Sequence, residues 1–337
     1  MKRSSNAAAI IVFVAISVIL FQSKLFAESQ VTLHIGGTVS PKHSWYKGAE
    51  LFAAEVEKAS GGTIKAQIEM GGVHGGERQM VTETMRGVLD MVWTSDIGVA
   101  AVIPSVGFVN LPYLFKDYQD VDARYLNGWM GKQIEAECLK KGILVLAHGE
   151  NDFRAVTNSR RPIKSGEDFK GLKLRVPEVP IYIAFYKGLG SLPTPMAITE
   201  VPTALQQKTV DGQDNGAIIT FDFGLHQFQK YMTRANQIYS GSQLLISKKK
   251  FDSLSEKQKQ IVMTAAKNAG VAQVKMNREM VESYYKEMAA GGVEVIECTP
   301  QLATDMAAVA EKVWTDPETI KTFGKETIDR IVAEKKS

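Results

Sequence analysis

One uninterrupted helical pattern constrains this chain more than any other feature. From Ser255 to Ala290 the sequence runs SEKQKQIVMTAAKNAGVAQVKMNREMVESYYKEMAA without a proline. Ser255 is placed to cap it. At 1.5 Å rise per residue such a helix is roughly 54 Å long, more than one small domain needs. It is long enough to lie across two lobes. The 337-residue chain has room for two domains of ordinary size.

The pattern upstream alternates strands and helices. Val31 to Ile35 reads as a first strand, and Ser40-Pro41 as the cap and first position of a helix. That helix carries Trp45, Ala49, Phe52, Ala53 and Val56 on one face and stops at Ser60-Gly61-Gly62. Thr63 to Glu69 and Leu89 to Thr94 read as strands flanking a glycine-rich loop, GGVHGG, and the helix it opens. This order predicts an α/β fold with a parallel sheet. An apolar strand over Gly142 to Ala147 follows, and a second α/β unit begins near Phe153.

The amino terminus has the layout of an export signal. Lys2 and Arg3 precede an uncharged apolar run, Ala7 to Phe21, too short for a comfortable membrane span. Cleavage is expected after Ala27, with an uncleaved anchor as the alternative. Loss of residues 1–27 removes three basic groups and no acid, leaving 37 of each sign. A neutral chain is a poor nucleic-acid partner, although a local positive cleft can still draw an anion. Cys138 and Cys298 have no metal-ligand spacing and are expected to remain separate thiols.

The stretch GLKLRVPEVPIYIAFYKGLGSLPTPMAITEVPTALQQKTVDGQDN, Gly171 to Asn215, bears most directly on function. It puts Arg175 at the end of a short β-type run, where its planar fork suits a carboxylate. In GLKLRVPE, PTPM, E-x-x-x-ALQ and VDGQDN the passage resembles the DctP-type solute-binding proteins of TRAP (tripartite ATP-independent periplasmic) transporters. The resemblance implies a two-lobed periplasmic-binding-protein fold, α/β, with discontinuous lobes, a ligand cleft between them and a long helix spanning both. The lobes are expected at 28–151 plus about 241–280, and at 152–240 plus about 281–337. It further implies a monomeric periplasmic receptor for a small organic anion, carboxylate or sulfonate, with no cofactor and no nucleotide site. Membrane transporter subunits would be its partners. A sensor handing the bound form to a signalling partner is the alternative.

In that family the arginine at Arg175 holds the anionic group. Glu178 is the neighbour that would otherwise pair with it. Arg154, in GENDFRAVTNSRRPI, matches a second family arginine, which Asp152 is placed to occupy in the free protein. Asn215 offers a donor and an acceptor. Asp214 either orients Arg175 or caps the next helix. From the first lobe, Thr38 offers a hydroxyl, and Glu77 an acceptor or a favourable charge at a helix start. Trp93, Ser95 and Asp96 follow a strand end, where α/β folds bind ligands, although Trp93 reads equally well as core. His43 falls near the expected mouth. Ile198 stands where the family often has an aromatic. No nucleophile–base set, Walker motif or histidine pair supports an enzyme.

Overall fold

The computed structural model describes residues 30–336. The expected signal peptide and its cleavage site lie outside them. Two sheets form the frame. The first has five strands, in the order Ile64–Glu69, Val31–Gly36, Met91–Ser95, Tyr239–Ser247 and Ile143–Phe153, and the second six, in the order Glu294–Glu297, Tyr231–Arg234, Ala155–Asn158, Gly212–Asn215, Lys173–Val176 and Leu192–Pro195.

The first sheet starts as predicted. β1 (Val31–Gly36) pairs in parallel with β2 (Ile64–Glu69) and with β3 (Met91–Ser95). The first connection is α1 (Ser44–Ala59), the second α2 (Glu77–Arg86). Helix α1 begins later than expected. His43, not Ser40, is its N-cap: His43 Nδ1 accepts from the Trp45 N–H at 3.0 Å. Ser40 is drawn elsewhere, to Asp222. A short helix, α3 (Asp96–Ala100), follows β3 directly, capped by the Ser95 hydroxyl. Helix α4 (Trp129–Lys140) leads into β4 (Ile143–Phe153).

Strand β4 runs six residues past the apolar stretch that marked it in sequence. Its partner β10 (Tyr239–Ser247) returns from the far end of the chain and lies antiparallel to both β4 and β3. The sheet is therefore mixed, not parallel throughout. Sequence order alone gave no sign that a distant strand would insert between β3 and β4.

The second sheet is built on β5 (Ala155–Asn158), β6 (Lys173–Val176), β7 (Leu192–Pro195), β8 (Gly212–Asn215), β9 (Tyr231–Arg234) and β11 (Glu294–Glu297). Helix α5 (Pro180–Gly188) connects β6 to β7, and α6 (Ala217–Asp222) follows β8. The chain passes between the sheets at Arg154, between β4 and β5, and again at 235–238, between β9 and β10. The two crossings are tied together: the Arg154 N–H donates to the Ile238 carbonyl at 2.8 Å.

Helix α7 (Glu256–Ala290) makes the third connection. Its start is fixed by a reciprocal capping box between Ser255 and Gln258. Val262, Ala265, Ala266 and Ala269 enter a core shared with β1, β3 and α1. Further along, Val281, Tyr285 and Met288 enter a core shared with β5, β9 and α6. One helix thus packs on both sheets. Helix α8 (Pro300–Trp314) covers the second sheet beside α5. The last two helices, α9 (Pro317–Phe323) and α10 (Lys325–Lys336), return to the first lobe. Phe323 packs beside Gly107, Gln133 donates to Thr327 at 3.0 Å, and Trp129 donates to Glu334 at 2.8 Å. The stretch from 317 onward therefore departs from the expected second-lobe span of 281–337. Polar, periodic helices at a chain end carry no mark of which lobe they will cover.

Cys138 is buried and Cys298 half-buried, and both are free thiols.

Candidate functional site

A cavity lies between the carboxyl ends of the two sheets. It offers about 50 Å³, room for several water-sized groups at roughly 10–15 Å³ each. Of the residues singled out in the sequence, Thr38, Glu77, Ser95, Arg154, Arg175 and Asn215 line it. Its remaining walls include Trp45, Ile97, Asn151, Met196, Ile198 and Ile219.

Arg175 is the penultimate residue of β6 and is only 3 % exposed. Its Nε and Nη2 both donate to the Met196 carbonyl, at 3.0 and 2.7 Å. Met196 closes the PTPM turn, so that turn supplies the carbonyl that orients the guanidinium. A carbonyl is neutral. Among the described residues Arg175 has no ion pair, and Glu178 is engaged by Arg78 instead, at 3.7 Å. Burial, followed by the neighbouring Arg154 charge, lowers the Arg175 pKa to about 10. This is a buried cation held by a neutral carbonyl, with no carboxylate in ion-pair contact among the described residues and only the more distant Asp214, Glu77 and Glu178 acting on it favourably.

Arg154 is buried as well but compensated. Its Nε donates to Asp214 Oδ1 at 3.1 Å, and its Nη2 to the same oxygen at 2.5 Å and to the Asp214 carbonyl. Burial works against its charge, yet Asp214 outweighs it and holds the pKa above the usual arginine value. The other Asp214 oxygen accepts from Tyr186 at 2.8 Å. Two expectations are corrected here. Asp214 neither orients Arg175 nor caps α6, and it does not line the cavity. Asp152 does not pair with Arg154: it accepts from Tyr118 at 3.1 Å and from the Ala217 N–H, capping α6. The β-pleat decides the first case: Gln213, not Asp214, is the register partner of Arg175, and neighbouring residues on a strand face opposite ways.

Asn215 ends β8. Gln213 donates to the hydroxyls of Thr157 and Thr220 and accepts the Asn215 Nδ2 at 2.5 Å. That fixes the carboxamide and leaves its Oδ1 as an acceptor in the cavity wall.

On the opposite wall Glu77, the first residue of α2, accepts from the Ser95 N–H at 2.7 Å and hydroxyl at 2.8 Å, and from Thr94 at 3.2 Å. It sits tightly on Gly98, where an added Cβ would come within 2.7 Å of the Glu77 Cβ. The glutamate therefore has a fixed position beside the cavity.

Three other expected residues lie outside the lining. Trp93 is wholly buried in the first-lobe core and donates to Ser242 at 3.2 Å. Asp96 turns inward, accepting from Ser240 at 2.9 Å and the Gly241 N–H at 2.7 Å, and burial raises its pKa to about 6. His43 is spent on its helix cap, and burial lowers its pKa to about 4 against the opposing influence of Asp222.

Trp45 is fully buried on its helix face and also borders the cavity, whereas Asn151 was overlooked in the sequence. The long helix explains both. Gln273 grips the backbone of Glu150, accepting its N–H at 2.8 Å and donating to its carbonyl at 2.8 Å. Trp45 donates to the same carbonyl at 2.9 Å, and Asn277 to that of Asn151 at 2.6 Å. Polar residues inside the apolar stripe of α7 were the available signal.

The family model for bacterial extracellular solute-binding protein, family 7 (DctP) matches residues 35–319. The chain belongs to that family. Among DctP-family relatives, the 2,3-diketo-L-gulonate-binding periplasmic protein YiaO of Escherichia coli is 32 % identical over 274 residues, covering 81 % of this chain and 82 % of its own. A TRAP periplasmic solute-binding protein from a Polaromonas species, solved with D-erythronate, is 33 % identical with a TM-score of 0.85, covering 90 % of this chain and 98 % of its own. The sugar-acid-binding protein of Advenella mimigardefordensis, solved with galactonate, is 31 % identical with a TM-score of 0.86, covering 92 % and 100 %. These DctP-family structures share the two-lobed α/β architecture described above.

Proposed function

We propose that this chain is the periplasmic receptor of a TRAP transporter, binding a small organic anion between its lobes and delivering it to the membrane subunits. The observation that carries the reading is Arg175: buried, oriented by the Met196 carbonyl, and without a counter-ion among the described residues. A cation in that state costs stability until an anion reaches it, so an anionic ligand gains a strong charge-assisted pair. Asn215, Thr38, Glu77, Ser95 and Asn151 supply polar contacts around it. Arg154 shapes the wall while paired with Asp214. The ligands named for the relatives above are organic acids, which supports a carboxylate head.

Binding and closure go together in this reading. Two strand crossings and one long helix let the lobes rotate about 151–155, 235–238 and the middle of α7. A ligand that touches both walls favours the closed arrangement through its differential affinity. No helix among the described residues is long and apolar enough to cross a membrane.

A thermal-shift screen of carboxylates and sulfonates against the purified protein tests the function, because binding raises apparent stability. The expected result is a shift with at least one organic acid that Arg175→Ala abolishes, the acid being recovered unchanged. Shifts that survive Arg175→Ala would overturn the site, and chemical conversion of the acid would overturn the receptor reading.

A further inference from the structure

We infer that the cavity selects hydroxylated monocarboxylates and rejects dicarboxylates, with Glu77 as the discriminating residue. The inference rests on the receptor reading above and adds a charge balance. Three arginines line the cavity, Arg78, Arg154 and Arg175. Arg154 is spent on Asp214, while Arg78 lies at the exposed mouth, screened by water and 3.7 Å from Glu178. That leaves Arg175 as the one buried lining arginine with no carboxylate in ion-pair contact among the described residues. It has charge for one carboxylate.

The rest of the polar lining suits hydroxyl groups. Glu77 holds a fixed carboxylate in the wall supplied by the first lobe, locked by Ser95 and Thr94. Asn215 presents an acceptor, its amide nitrogen being tied to Gln213. A ligand hydroxyl donates to either oxygen. A second ligand carboxylate has no proton to donate. It meets Glu77 and lacks a lining cation of its own, and like charges brought together in a desolvated site cost several kcal/mol. The ligands of the three relatives, 2,3-diketo-L-gulonate, D-erythronate and galactonate, each carry a single carboxylate.

Matched ligands isolate the effect. D-erythronate and meso-tartrate share a carbon skeleton and hydroxyl configuration and differ only at C4, a hydroxymethyl in one and a carboxylate in the other. Galactonate and galactarate form a second such pair. Calorimetric titration is expected to show each monoacid favoured over its diacid by about 100-fold or more. Glu77→Gln removes the charge at constant shape and is expected to narrow the ratio at least about tenfold. Asp214→Asn, which uncovers the Arg154 charge, is expected to narrow it by an independent route. Arg175→Ala should abolish both members of a pair. Diacids that bind as tightly as monoacids, or a ratio unmoved in Glu77→Gln, would overturn the inference while Arg175→Ala still upholds the receptor reading. Binding that Arg175→Ala leaves intact would overturn both, as would failure of every hydroxy acid tested to bind.

Discussion

Ser40 and Asp222 join the two lobes at a point where neither lines the cavity. Ser40 follows β1 in the first lobe, and Asp222 ends α6 in the second. The Ser40 N–H donates to Asp222 Oδ2 at 3.1 Å, and its hydroxyl donates to Oδ1. One carboxylate thus accepts twice from a single residue across the cleft. If these bonds form on closure, they stabilise the closed state without touching the ligand. Asp222→Ala is then expected to speed ligand release by at least roughly tenfold, the lower end for one hydrogen bond to a charged group. Stopped-flow Trp fluorescence measures this. An unchanged release rate would mean that the pair persists when the lobes open.

The two buried arginines should behave oppositely. Arg175→Ala is expected to weaken ligand binding by roughly two to four orders of magnitude, from lost charge-assisted bonds and a stranded ligand charge. In the ligand-free protein the same change removes an uncompensated buried cation, so the melting temperature should hold or rise. Arg175→Lys keeps the charge, loses the planar fork, and should restore only part of the affinity.

Arg154→Ala strands the Asp214 carboxylate, which is wholly buried. Breaking a buried pair from one side costs about 3–5 kcal/mol. Denaturant titration should therefore show a stability loss in Arg154→Ala and none in Arg175→Ala. Equal losses in the two variants would contradict the pairing described here.

Helix α1 rides directly on Trp93. A Cβ added at Gly48 would lie 2.5 Å from the Trp93 ring. Alanine normally favours a helix over glycine by about 1 kcal/mol. Here the clash reverses the sign, and Gly48→Ala should destabilise by about 1–3 kcal/mol. A stabilised variant would show that the helix can lift off the ring.

Two buried groups give opposing pH dependences. His43, lowered to about 4 by burial, stays neutral in the fold while the unfolded chain protonates. Its contribution is full above about pH 6.5 and is lost as pH falls toward 4. Asp152 is raised to about 7, first by burial and then by Glu150. The fold retains its proton while the unfolded chain releases it, so stability falls as pH rises from about 4 to 7. Asp96, raised to about 6, adds to the Asp152 slope, and His43 opposes both between pH 4 and 6.5. His43→Asn keeps a capping side chain and should expose a decline with rising pH across that window. Midpoints of urea unfolding at several pH values would show it, and parallel profiles for both proteins would refute it.

Local chemistry is what the sequence determined. The first three strands, the capped helix from Ser255 to Ala290, and Arg175 at a strand end beside PTPM are all legible, because periodicity, capping and turn residues act over a few neighbours. So are Thr38, Glu77, Ser95 and Asn215, which close β-strands or open helices at the same end of a sheet. Tertiary structure alone decided which charges remain available. Arg154 and Arg175 look alike in sequence, but Asp214 lies 60 residues from the first and, across the pleat, on the wrong face for the second. Trp93, Asp96 and His43 sit beside the cavity in the chain and turn away from it in space. Strand pleat and helix phase assign their direction, and burial then fixes their partners. A counter-ion is a matter of distance, and distance across a sheet is settled only when non-local strands such as β10 take their places.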